Sequence, residues 1–209
     1  MKKIIIILLL AIPFLSFGQI GIKAGLNFSN VTNTSSISHS NRTGYNIGIF
    51  LAPKSKSIIS SKTELILSKQ GYNYSSNSRD GTVDLLYIML PTYMCINITR
   101  FFQIHIGAQM AYLINAKADS KTTSGSTSPI SDAMQYYNRF DYGLGGGVEI
   151  HPFKGLLIGT RMNISLANLY RDAASGQIPS FASVNVKQNL FQIYTGWHFG
   201  KQPASSNKK

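Results

Sequence analysis

From Gly21 onward the chain alternates, residue by residue, between apolar side chains and small, polar or charged ones, in eight separate runs. A period of two marks a strand with two unlike faces and excludes the 3.6-residue period of an amphipathic helix. In the first run Ile22, Ala24, Leu26 and Phe28 oppose Gly21, Lys23, Gly25 and Asn27. In the second, Tyr45, Ile47, Ile49 and Leu51 oppose Gly44, Asn46, Gly48 and Phe50. The others are centred on Leu65, Leu90, Ile106, Leu144, Ile158 and Ile193. Each is long enough, at roughly nine or more residues, to cross a bilayer at a tilt. No later segment is apolar for the ~18 residues that a membrane-spanning helix needs.

The connections decide which face meets lipid. Four are long and polar: 29–43, 71–82, 116–138 and 168–187. Three are short: 52–57, 99–100 and 151–155. They alternate long and short, as the outer loops and periplasmic turns of outer-membrane barrels do. The expected fold is therefore all-β: an eight-stranded, antiparallel, up-and-down transmembrane β-barrel. Lys23, Glu64, Asp141, Glu149 and Arg161 share the small, polar face, and His105 joins them by parity. A Lys or Arg facing lipid would cost roughly 2–4 kcal/mol at mid-bilayer, so these six are expected in the barrel interior as a polar cluster. Lys69 and Asp84 break the parity and are expected at strand ends near water. Tyr45, Tyr72, Tyr112, Tyr142, Trp197 and Phe199 are expected as interfacial aromatics at the headgroups, where a ring with a polar edge suits both phases.

The N-terminus carries an export pattern. Lys2 and Lys3 precede an apolar stretch from Ile4 to Phe17, and Ser16-Phe17-Gly18 places small residues three and one before a cut. Residues 1–18 are expected as a cleavable signal peptide, 19–200 as the barrel domain and 201–209 as a polar, basic tail. Sequencing of the exported protein is expected to begin at Gln19; a mature chain that starts at Met1 would refute cleavage.

The net charge of +12 raises the question of nucleic acid, but Arg42, Lys54, Arg79, Lys117, Lys121 and Lys154 are dispersed, with no basic helix or dense cluster. Loops facing an anionic lipopolysaccharide surface are a better use of that charge. Outer-membrane lipid and lipopolysaccharide are the expected partners, and nucleic acid is not; any envelope protein partner is unspecified. Cys95 is the single cysteine, which excludes an intrachain disulfide and a thiolate metal cage; it reads as a buried strand thiol.

Several segments resemble the PorT-like outer-membrane β-barrel proteins, also termed porin-family barrels, over about 19–199. They are GIKAGLNFS from Gly21 to Ser29, ELILSKQG from Glu64 to Gly71, YIMLP from Tyr87 to Pro91, FDYGLGGGVE from Phe140 to Glu149 and LFQIYTGWHF from Leu190 to Phe199. Met89 and Met162 depart from the polar residue and the tyrosine common at those places. The resemblance implies the outer membrane as location and implies no reaction.

No catalytic, cofactor-binding or metal residues are expected. Gly143-Leu-Gly-Gly-Gly147 has Val148 where a nucleotide-binding loop needs its third glycine, and no helical pattern follows. His39, His105, His151 and His198 lack metal-ligand spacing. The expected function is a non-enzymatic structural or interaction role through the outer loops, with a filled interior. The alternatives are a lipid-modifying barrel enzyme, which needs a Ser-His-acid constellation, and a soluble periplasmic ligand-binding barrel, which needs the apolar face inside.

Overall fold

A computed structural model describes residues 18–32, 38–53, 57–76, 79–122, 127–129, 133–171 and 186–199. The expected signal peptide, apart from Gly18, and the tail 201–209 lie outside the described residues. The strands are β1 (Gly18–Thr32), β2 (Ser38–Pro53), β3 (Ile59–Ser76), β4 (Arg79–Asn97), β5 (Phe102–Thr122), β6 (Thr127–Pro129), β7 (Phe140–Ile150), β8 (Leu156–Ser165) and β9 (Lys187–Phe199). All pairings are antiparallel, and each barrel strand pairs with the next. The ring closes between β1 and β9, from Ile20 opposite Phe199 to Thr32 opposite Lys187. β6 pairs only with the far end of β5, so the barrel itself has eight strands. Closure leaves no open edge, so every strand finds a ladder partner without water. No described helix is long and apolar enough to cross a membrane.

The short connections gather at one end with the start of β1 and the end of β9, here the turn end. Gly155 turns β7 into β8 with φ of 93°, a conformation that L side chains rarely adopt. A Cβ there would also lie 2.9 Å from the Trp197 ring. The opposite end carries the long connections.

Over the middle of the wall the apolar face points outward. Ile47 and Leu144 are 55% and 56% exposed, whereas Lys23, Glu64 and Arg161 are buried. This overturns the soluble alternative.

Beyond that belt the pattern inverts. Val31, Tyr72, Tyr74, Val83, Leu85, Ala116 and Ala118 point inward and are buried, while Asn73, Asp84 and Lys117 point outward. The wall there leaves the hydrocarbon for headgroups and water, so the apolar face turns in as in a soluble barrel. The expected loops are shorter than the sequence reading gave. β3 runs to Ser76 and β4 starts at Arg79, within the segment 71–82 read as a connection. β5 likewise continues to Thr122 through a bulge beside Leu86 and Tyr87 of β4. The wall is uneven: β4 and β5 have 19 and 21 residues, β8 has 10.

Candidate functional site

The interior is built in layers, each supplied by side chains two residues apart on facing strands. Nearest the turn end is a charged layer. Arg161 of β8 reaches across to Glu64 of β3 with a two-pronged contact: Nη1 and Nη2 donate to Oε2 and Oε1 at 2.8 and 2.9 Å. Lys23 Nζ donates to the same Oε2 at 3.0 Å. Arg161 Nε donates to His105 Nε2 at 3.2 Å, which requires that nitrogen to be unprotonated. The guanidinium lies 4.1 Å from the Tyr93 ring centre, and Lys23 Nζ lies 3.5 Å from that of Tyr194. Glu149 takes hydrogen bonds from Lys62 Nζ and, at 2.7 Å, from the Tyr194 hydroxyl. Three cations therefore share two carboxylates, all five groups buried. At the rim of this layer His151 Nε2 stands 3.8 Å from Glu149, and its ring is 5.8 Å from that of His198. Burial holds the His151 imidazole below its ordinary pKa, against the pull of Glu149.

Glycine makes room for these groups. A Cβ on Gly159 would meet Glu149 Cγ and the Tyr194 hydroxyl at 2.7 Å, and one on Gly147 would meet His105 Nε2 at 2.9 Å. The glycine run thus serves a narrow interior rather than a phosphate.

An amide layer follows. The Tyr93 hydroxyl donates to Asn163 Oδ1 at 3.0 Å, Asn163 Nδ2 to Gln192 Oε1 at 3.2 Å, and Gln192 Nε2 to Asn27 Oδ1 at 2.9 Å. Asn27 Nδ2 in turn donates to Ser68 Oγ at 2.9 Å.

The far layer is apolar and phenolic. The outer connections bend inward here: Tyr137 bridges to Tyr170, and Asn138 Nδ2 donates to the carbonyls of Asn168 and Tyr170 at 2.8 and 2.9 Å. The rings of Tyr137 and Tyr170 stack at 5.1 Å, and the Tyr72 hydroxyl bonds both phenols, that of Tyr137 at 3.1 Å. Burial, with the neighbouring phenol, raises the Tyr137 pKa well above its ordinary value.

Of the six expected interior groups, the structure places Lys23, Glu64, His105, Glu149 and Arg161 in the charged layer. Asp141 is not among them. It is half-buried near the far end of β7 and accepts a hydrogen bond from the Ser165 hydroxyl. It lines a small recess with Tyr87, Asn138, Asn168 and Gln188. Of the expected interfacial aromatics, Tyr45, Tyr112, Tyr142, Trp197 and Phe199 face outward, each about half exposed. Tyr72 is a correction: its ring is inside, because the wall beyond the belt carries its large side chains inward. Lys62 and Tyr194 belong to the charged layer and were absent from the expected cluster; Lys62 has the parity of Glu64, which is the signal that places it. Asp141 and Ser165 meet at the far end, while His105 lies in the charged layer and His151 and His198 at the turn end. No Ser-His-acid set forms among these residues.

A closed antiparallel barrel with an outward apolar belt and charges inside is the architecture of bacterial outer-membrane proteins. The family model for the outer membrane protein beta-barrel domain matches residues 16–171, and the chain belongs to that family. Solved structures of one such protein agree on the fold. Ail, the attachment invasion locus protein of Yersinia pestis, aligns with a TM-score of 0.51 at 16% identity, covering 88% of this chain and 99% of Ail. Ail in complex with the heparin analogue sucrose octasulfate aligns at 0.50, with the same identity and coverage. Neisserial surface protein A aligns at 0.47 with 14% identity, covering 86% of this chain and 97% of that one. No curated protein matches in sequence.

Proposed function

We propose that the protein is a non-enzymatic outer-membrane barrel whose interior is closed to diffusion and whose outer end serves a structural or interaction role, as a PorT-like member of its family. The observation that supports it is the Glu64–Arg161 contact across the lumen, with Lys23 and Tyr93 packed around it and a phenolic layer above. Eight strands enclose an interior that side chains alone can fill. A partner then has only the wall and the outer end to recognise. Outer-membrane lipid and lipopolysaccharide lie against both, and residues 1–18 supply the export signal. Purified protein in planar bilayers is expected to give no steady, porin-sized conductance. A stable open channel overturns the reading.

A further inference from the structure

Lys69 and Asp84, the two charges that break strand parity, lie well inside β3 and β4 rather than at their ends. They face outward just past the apolar belt. Lys69 is opposite Leu86, and Asp84 is opposite both Gly71 and Lys117 of β5. Asp84 takes hydrogen bonds from Lys69 Nζ at 3.1 Å and from Arg42 Nε. Arg42 arrives from β2 because the β2–β3 ladder breaks between Asn41 and Asn46. Inside the barrel, β1 satisfies the backbone freed by that break. Asn27 Nδ2 donates to the Lys69 carbonyl at 2.8 Å, and Ser29 Oγ bonds the Gly71 carbonyl and amide at 2.7 Å. Arg42 passes over Gly71, where a Cβ would lie 3.0 Å from Arg42 Cδ, and its Nη1 donates to Asn73 Oδ1 at 3.1 Å.

We propose that Arg42, Lys69 and Lys117, gathered around Asp84, form a phosphate site for the glycolipid of the outer leaflet; this deepens, and rests on, the reading of the chain as an outer-membrane barrel. Two cations hold one carboxylate, and a third, Lys117, stands opposite it in the β4–β5 register while making no ion pair among the described residues. Asp119, exposed one step further out on β5, removes part of the surplus. Asp84 fixes the cations rather than cancelling them. Among the described residues Arg42 Nη2 and two of the Lys69 ammonium protons take no acceptor, and guanidinium with ammonium is the donor set that suits phosphate oxygens. The location selects the source of the phosphate. The cluster is on the lateral wall, level with the border of the apolar belt, where it meets the headgroups of lipids beside the barrel. A soluble anion would sooner meet the tip of the barrel.

The test uses the protein in phosphatidylcholine nanodiscs, with purified lipopolysaccharide and its dephosphorylated form as probes. Lys69→Gln with Lys117→Gln is expected to weaken lipopolysaccharide binding by about tenfold or more, and dephosphorylation to weaken the wild type similarly. Lys154→Gln, in an exposed turn at the other end, is expected to bind as wild type. Asp84→Asn separates a built site from plain surface charge. It adds one net positive charge, yet it is expected to bind more weakly because Arg42 and Lys69 lose their anchor. Undiminished binding by the double variant, equal binding of dephosphorylated lipopolysaccharide, or tighter binding by Asp84→Asn overturns the site. So does equal competition by phosphatidylglycerol vesicles, which would mean a generic anionic surface. Heat-modifiable migration in gels checks folding of each protein. Its absence in the wild type would count against the barrel reading itself. Lys117→Gln alone, which disturbs no ion pair, keeps the test decisive if the other variants misfold.

Discussion

Arg161→Ala is expected to destabilise the folded barrel by roughly 3–5 kcal/mol, the cost of leaving a buried ion without its partner. The loss is large because Glu64 is held from two sides. Arg161 supplies two of its hydrogen bonds and Lys23 one. Without the guanidinium, His105 also loses the donor to its Nε2, and the Tyr93 face loses its cation. Urea unfolding in phospholipid vesicles, followed by emission of the sole tryptophan, Trp197, measures the effect. Lys154→Ala, at an exposed turn, is expected to change stability by no more than about 0.5 kcal/mol. Replacing the linked set together, as Lys23→Met, Glu64→Leu and Arg161→Met, is expected to recover most of the loss, because well-packed apolar groups dispense with the desolvation of buried ions. Equal unfolding midpoints for Arg161→Ala and Lys154→Ala would remove this layer from the account of stability.

The second large effect concerns two adjacent glycines. Gly147→Ala is expected to cost about 1–3 kcal/mol or more and to reduce folding yield, because overpacking a tight interior forces the backbone to move. A Cβ at Gly147 would meet the Thr160 carbonyl oxygen at 2.1 Å and Arg161 Cα at 2.8 Å. Gly146 points the other way, and its nearest neighbour would be the His105 carbonyl oxygen at 3.4 Å. Gly146→Ala is expected to be neutral or slightly stabilising, since a methyl group facing lipid restricts the unfolded chain. Gel-shift folding yields of the two variants check the contrast. Equal yields would mean that the interior gives way more readily than these distances allow.

The strands within the bilayer were legible because lipid outside and a narrow interior impose opposite demands on alternate residues. That rule placed Lys23, Glu64, His105, Glu149 and Arg161 on one face. It failed where its cause stops. Past the belt, headgroups and water replace hydrocarbon outside, and Tyr72, Tyr74, Val83 and Leu85 turn inward. A reading tuned to apolar residues outside therefore ends β3 too early, starts β4 too late and assigns Tyr72 to the headgroups. Asp141 illustrates a different gap. Parity gives its face but not its height, and height decides whether a carboxylate reaches Arg161 or, as here, Ser165. The amide layer was not anticipated, because Asn27, Asn163 and Gln192 come from three strands and only the register brings them together.

The uneven wall has a thermodynamic consequence for whatever docks at the outer end. Where β4 and β5 run for 19 and 21 residues, chain that could have been floppy loop is already laid into a ladder. Ordering a backbone residue costs roughly 1–2 kcal/mol, and on this flank the cost has been met during folding, before any partner arrives. Contacts made to the raised flank do not have to offset that backbone ordering a second time. They also fix the bearing of the visitor, because a stiff ledge stands on one side of the barrel and the short β8 on the other.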